Sequence, residues 1–111
     1  MKVRKAMRFK KGKFLIMYND HLEGREAWLS EDGHFGFCKF GSIWEVVHVG
    51  TGTFLWAAKT RKDCAQWLEE KGFNYIKKAT ALGYVDKARE QFTTMLTKDD
   101  KARHFMGIKE E

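Results

Sequence analysis

The residue pattern predicts an α+β fold: an antiparallel β-meander of four to five strands, followed by two to four helices, one of them packed on a sheet face. Three observations carry this. Residues 33–72 change hydrophobic period once, from alternation suited to strands over 35–58 to helical spacing over 61–71. Turn signals punctuate the first part at Asp32-Gly33, Gly41-Ser42 and Gly50-Thr51-Gly52. The chain has no proline and ten glycines, so its turns rest on Gly, Asn and Asp.

A chain of 111 residues with 43% hydrophobic and 14% aromatic content can bury one core without metals or disulfides. We expect a basic arm or edge strand over residues 1–12 and a single α+β domain over 13–111. In the arm, Val3, Lys5, Met7 and Phe9 share one strand parity, a weak apolar face. Gly12 reads as a break. Residues 13–18 (KFLIMY) read as a short buried strand. Asn19-Asp20-His21 and Glu23-Gly24 read as the turn, and 26–30 as the returning strand.

Strands follow at 34–40, 43–49 and 53–58. Thr60 suits a helix N-cap, with Asp63 three positions on, in a variant of the capping box. Cys64, Trp67, Leu68 and Lys71 recur at i, i+3, i+4 and i+7, a helix stripe that Gly72 should close as a left-handed cap. Residues 73–82 begin as strand or helix and end at Gly83. Residues 84–96 form a helix with Val85, Ala88, Phe92, Met95 and Leu96 on one face. A short last helix spans 99–106, with Thr97 or Asp100 as its cap.

Charge is distributed unevenly. The chain carries a formal +6, and Lys2, Arg4, Lys5, Arg8, Lys10, Lys11 and Lys13 place seven positive charges in the first thirteen residues, with no acid among them. The remainder is near neutral. Clustered Lys and Arg neutralise phosphates and release counterions, so this end points to nucleic acid or a nucleoprotein. The same lysines could instead solubilise a tail or blunt a sheet edge. Arg25, Arg61 and Lys62 would add loop-side contacts.

Most strand aromatics are natural core filling. If one strand surface is wet, Phe35, Phe37 and Lys39 are the candidates, since aromatics interleaved with lysine suit base stacking.

Catalytic patterns are missing. Neither GxxxxGK[ST] nor GxGxxG occurs, and Ser30 and Ser42 are the only serines, outside any GxSxG elbow. His21, His34, His48, His104, Cys38 and Cys64 show no close ligand pair of the kind zinc sites use. The two cysteines read as buried, reduced thiols. We expect no enzyme, no cofactor and no metal. No segment approaches the roughly 18 apolar residues of a membrane span, and no secretory pattern opens the chain, which suggests a cytoplasmic protein.

Within residues 43–72, a Trp-bearing strand, a glycine turn, another strand and the run TRKDCAQWLEEKG resemble the strand–strand–helix end of integrase arm-binding domains, through Trp44, Gly52, Thr60, Ala65, Trp67 and Leu68. That resemblance implies a three-stranded sheet entering a DNA major groove with one helix behind it. Strands of such domains carry several Arg and Lys, whereas only Lys39, Lys59 and Glu45 occur here, so membership is not inferred. The alternative function is a protein-interaction module or inhibitor, for example a phage-type protein that blocks a host nucleic-acid enzyme.

Overall fold

The structure is a computed structural model that describes residues 7–108. Five antiparallel strands form one sheet in sequence order: β1 (Phe9–Met17), β2 (Leu22–Ser30), β3 (Phe35–Phe40), β4 (Ile43–His48) and β5 (Thr53–Ala58). Helices follow: α1 (Arg61–Trp67), α2 (Phe73–Ala81), α3 (Tyr84–Lys98) and α4 (Asp100–Phe105). The fold is the α+β meander with a helix on the sheet that the period change predicts.

β1 and β2 are longer than their apolar runs suggest. They pair over nine residues, from Phe9 with Ser30 to Met17 with Leu22, and residues 18–21 make the turn, closed by Tyr18 N–H to the His21 carbonyl at 2.9 Å. Gly12 is therefore no break, and Glu23 and Gly24 lie in a strand rather than the turn. An added Cβ at Gly12 would sit 2.4 Å from Leu29 Cδ1, so this glycine serves a close cross-strand approach. Lys10 and Lys11 belong to an edge strand.

β2 pairs with β3 only at Trp28 with Phe37 and Leu29 with Gly36. Beyond that point the β1–β2 hairpin leaves the plane and curls across the sheet. Its end is tied to the β4–β5 turn by Met17 N–H donating to the Gly52 carbonyl at 2.7 Å. The curl lays Phe14 and Ile16 on Cys38 and Val47, a buried cluster on one sheet face. The Phe14 ring sits so close to Gly36 that a Cβ there would come within 2.6 Å of it.

The opposite face carries the main core. Phe35, Phe37 and Val46 pack under Cys64 and Leu68 of the helical segment, flanked by Phe9, Trp28, Trp44, Leu55 and Trp67. Phe9 meets Phe37 edge-on at 4.9 Å between ring centroids. A bulge between Val46 and Val47 shifts the β4–β5 register, so that Val46 opposes Trp56 and Val47 opposes Phe54. Trp56 then stacks flat on Trp67 at 5.1 Å. A third cluster docks α3 and α4 on the hairpin: Leu15, Leu22 and Ala102, with Met17, Phe92, Met95, Leu96 and Phe105.

α1 is capped as its sequence predicts, with Thr60 Oγ1 accepting from Asp63 N–H at 3.0 Å. Gly72, however, does not stop it. A π-helical turn (Leu68–Gly72) carries the helix without interruption into α2. Gly72 has right-handed angles, and a Cβ there would lie 2.5 Å from Leu68 Cδ1 and 2.8 Å from the Trp67 ring. Crowding by those side chains, not a left-handed cap, demands glycine. The left-handed cap falls at Gly83, φ 80°. α4 is capped by Asp99, whose carboxylate accepts from Ala102 N–H at 3.0 Å, in place of Thr97 or Asp100. Arg103 closes the end of α3 by donating to the Leu96 carbonyl at 2.7 Å and to the Thr97 carbonyl.

The curl predicts a specific sensitivity. Gly36→Ala should destabilise the fold by about 1–3 kcal/mol, because Phe14 must move to admit the methyl. Urea unfolding reads this as a lower midpoint at unchanged slope; an unchanged midpoint would place the Phe14 ring elsewhere.

Candidate nucleic-acid interface

The helix-facing surface of the β1–β2 hairpin continues past the edge of α1 as a half-open groove of about 710 Å³. Met7, Phe9, Trp28 and Trp44 supply its sheet side, and Arg61, Lys62, Ala65, Gln66 and Glu69 its helix side. Strand parity explains the sheet side. Phe9 and Lys11 on β1, Trp28 on β2 and Phe37 on β3 project to one face, and Trp44 joins them on β4. Phe37 is fully buried, and the aromatics beside it are only partly buried.

Arg61 begins α1, one residue after the Thr60 cap, and projects back over these rings. Its guanidinium carbon lies 4.3 Å from the Phe9 centroid, 4.8 Å from Trp28 and 5.9 Å from Trp44. Such cation–π contacts contribute about 0.5–2 kcal/mol, more as water is excluded. Arg61 has no ion pair or side-chain hydrogen bond among the described residues. Lys11 Nζ lies 5.6 Å from the Trp28 ring centroid. Trp28 is shared with a second hollow along the edge strand, lined by Lys11, Gly12, Lys13, Glu26 and Ala27. Lys39, exposed, is the cross-strand partner of Trp44. A basic and aromatic surface therefore runs from Lys11 through Trp28 and Arg61 to Lys62.

Of the residues singled out from the sequence, Lys11, Lys39, Arg61 and Lys62 lie on this surface, whereas Lys13 lines the second hollow and its ammonium lies 5.7 Å from the Phe105 ring centroid of α4. Lys2, Arg4 and Lys5 lie outside the described residues. Lys10 has the opposite strand parity and is exposed on the other face. Arg8 borders a separate hollow with Glu31 and Asp32. Arg25 is neither in a loop nor near Arg61. It lies within β2 on the opposite face, where its guanidinium pairs with Glu23 at 3.2 Å. Phe35 and Phe37 do not form a wet surface: they are 5% and 0% exposed, because α1 and the π turn cover them. Phe9, Trp28 and Trp44 are instead the partly buried rings at the margin of this core; the sequence placed Phe9 on the weak apolar face of the arm and left the tryptophans among the strand aromatics. Their only local signal is proximity to lysine, at Lys11 for Phe9 and across the strand pair for the tryptophans.

The opposite face of β3–β4–β5 is unlike a DNA-reading sheet. It exposes Phe40, Ile43 and Phe54 with Glu45 among them, and no cation from these strands.

A smaller cavity of about 190 Å³ lies between the β4–β5 turn and α2–α3, lined in part by His48, Thr53, Tyr75 and Tyr84. His48 Nδ1 is 2.9 Å from Thr51 Oγ1, which bonds Thr53 Oγ1 at 2.8 Å. Burial, then the positive charge of Arg89 and the His34 ring, hold the His48 pKa below 6.5. Both cysteines are free and buried. Burial pushes the Cys38 and Cys64 thiols up to about 11. Cys64 Sγ donates to the Trp44 carbonyl at 3.4 Å. Among the described residues no group of three or more His, Cys, Asp and Glu could hold a metal ion, and no helix is long and apolar enough to cross a membrane.

Two outcomes follow from these titrations. Both thiols should resist a thiol reagent near pH ~8 in the native state and react only on unfolding; a fast native phase would contradict their burial. Because folding depresses the His48 pKa, its contribution is retained above the unfolded value and lost as pH falls below ~6.5, where only the unfolded state gains the proton. Unfolding free energy should therefore drop between about pH 7 and pH 5, and His48→Gln should flatten that part of the profile.

Compared with known proteins, the chain matches no family model, no curated relative and no solved structure.

Proposed function

We propose that this protein is a small non-enzymatic binding module that contacts nucleic acid, free or in a nucleoprotein, through its basic N-terminal region and the surface that continues from it. One observation carries the reading: Lys11, Arg61 and Lys62 lie with Trp28 and Trp44 on one side of the sheet. Lysines and arginines there neutralise phosphates, and partly buried rings supply stacking area. Two free cysteines suit a reducing, cytoplasmic setting.

A second reading, a protein-interaction module or inhibitor, is favoured by a different surface. Phe40 is 66% exposed and lies with Ile43 and Phe54 on the sheet face opposite Lys11, Arg61 and Lys62. Large exposed apolar side chains on one face suit a protein partner.

Deleting residues 1–13 would remove part of β1, so charge reversal is the cleaner test. Lys11→Glu combined with Lys62→Glu should weaken nucleic-acid binding about tenfold or more at low salt and reduce the slope of log affinity against log salt by about 2. A mobility shift at two salt concentrations, with circular dichroism to verify folding, measures both. An unchanged affinity and slope would remove this surface from the reading and favour the exposed apolar face.

A further inference from the structure

The Phe9–Trp28–Trp44 groove holds a planar cation against three ring faces, a geometry with two ordinary uses: a cage for alkylated ammonium groups, or a platform for nucleobases. Local charge separates them. The groove walls carry Arg61 and Lys62 against Glu69, and Lys11 lies over the Trp28 ring at 5.6 Å. The balance is positive, with the Arg61 guanidinium itself lying over the rings. A cationic ligand meets repulsion here, whereas an aromatic group tethered to phosphates meets attraction from every lysine named.

We infer that this groove takes unpaired bases, so that the protein prefers single-stranded nucleic acid, with a base stacked among Trp28, Trp44 and the Arg61 guanidinium and the flanking phosphates against Lys11 and Lys62. This rests on the nucleic-acid reading above and narrows it.

The size of the groove, about 710 Å³, falls within the ~300–1,000 Å³ typical of small-ligand sites, which is ample for a base. Its concave form matters more. A base within a duplex has both ring faces covered by its neighbours and offers only its edge, which cannot reach rings recessed between a strand and a helix. An extruded or single-stranded base presents both faces. Arg61 does not block entry, since it has no ion pair to break among the described residues and its flat guanidinium stacks on a base as it does on Phe9. Gln66, whose amide donates to Glu70 at 3.0 Å, lines the helix side of the groove.

The full-length protein is titrated by fluorescence anisotropy with a short labelled single strand in DNA and RNA forms, with the same strand carrying abasic sugars at its centre, and with its duplex. Intact single strands should bind about tenfold or more tighter than the abasic strand and the duplex, and should quench tryptophan fluorescence where the abasic strand does not. Trp44→Phe keeps a ring and should retain most of the preference, whereas Arg61→Ala should reduce it. Equal, salt-dependent binding of intact strand, abasic strand and duplex would overturn base insertion while leaving phosphate binding in place. No binding to any of them at low salt would overturn both.

Discussion

Where β2 parts from β3, the hairpin it forms with β1 turns across the sheet, and the contact that makes this possible is the Phe14 ring lying on Gly36. A side chain at that position would hold the hairpin off the sheet, and Cys38 and Val47 would lose their cover. Because the hairpin end is also tied to the β4–β5 turn through Met17 and Gly52, one bend gives the sheet buried clusters on both faces. The outward side of the same hairpin then supplies Leu15, Met17 and Leu22 as the seat for α3 and α4.

The bend also shapes the groove. It separates the edge strand from the β3–β4 surface enough for Arg61 to reach across Phe9, Trp28 and Trp44, with α1 as the opposite wall. A chain whose last hundred or so residues are close to electrically neutral thereby gains a locally positive surface, because strand parity sends Lys11 and Lys13 to the helix side and Arg25 to the other. At a Debye length of about 8 Å at physiological salt, such local grouping matters more to a bound phosphate than the net charge of the whole molecule.

Much of the fold is legible in the residues. Alternation over 35–58, the glycine turns and the Thr60 cap each act through neighbours close in sequence, so local chemistry is sufficient to specify them. Gly72 was misleading because glycine answers two demands, a positive φ and a close approach, and only the packed positions of Leu68 and Trp67 distinguish them. The length of β1 was hidden for a related reason: Gly12 and three lysines look like an arm until β2 pairs alongside. In the groove, Arg61 and Lys62 stand out by charge, but their partners do not, since a tryptophan on a strand looks the same whether a helix covers it or stops short of it.

The sequence by itself determined the order and kind of the elements, the concentration of positive charge at one end and the absence of familiar catalytic spacings, because these depend on residue type and near-neighbour periodicity. Only the tertiary structure decided which aromatics stay accessible. Phe35 and Phe37 lie under α1 and the π turn, while Phe9, Trp28 and Trp44 sit at the margin, where Arg61 closes over them. That choice depends on how far a hairpin bends and where a helix crosses, and both are set by contacts between residues far apart in the chain.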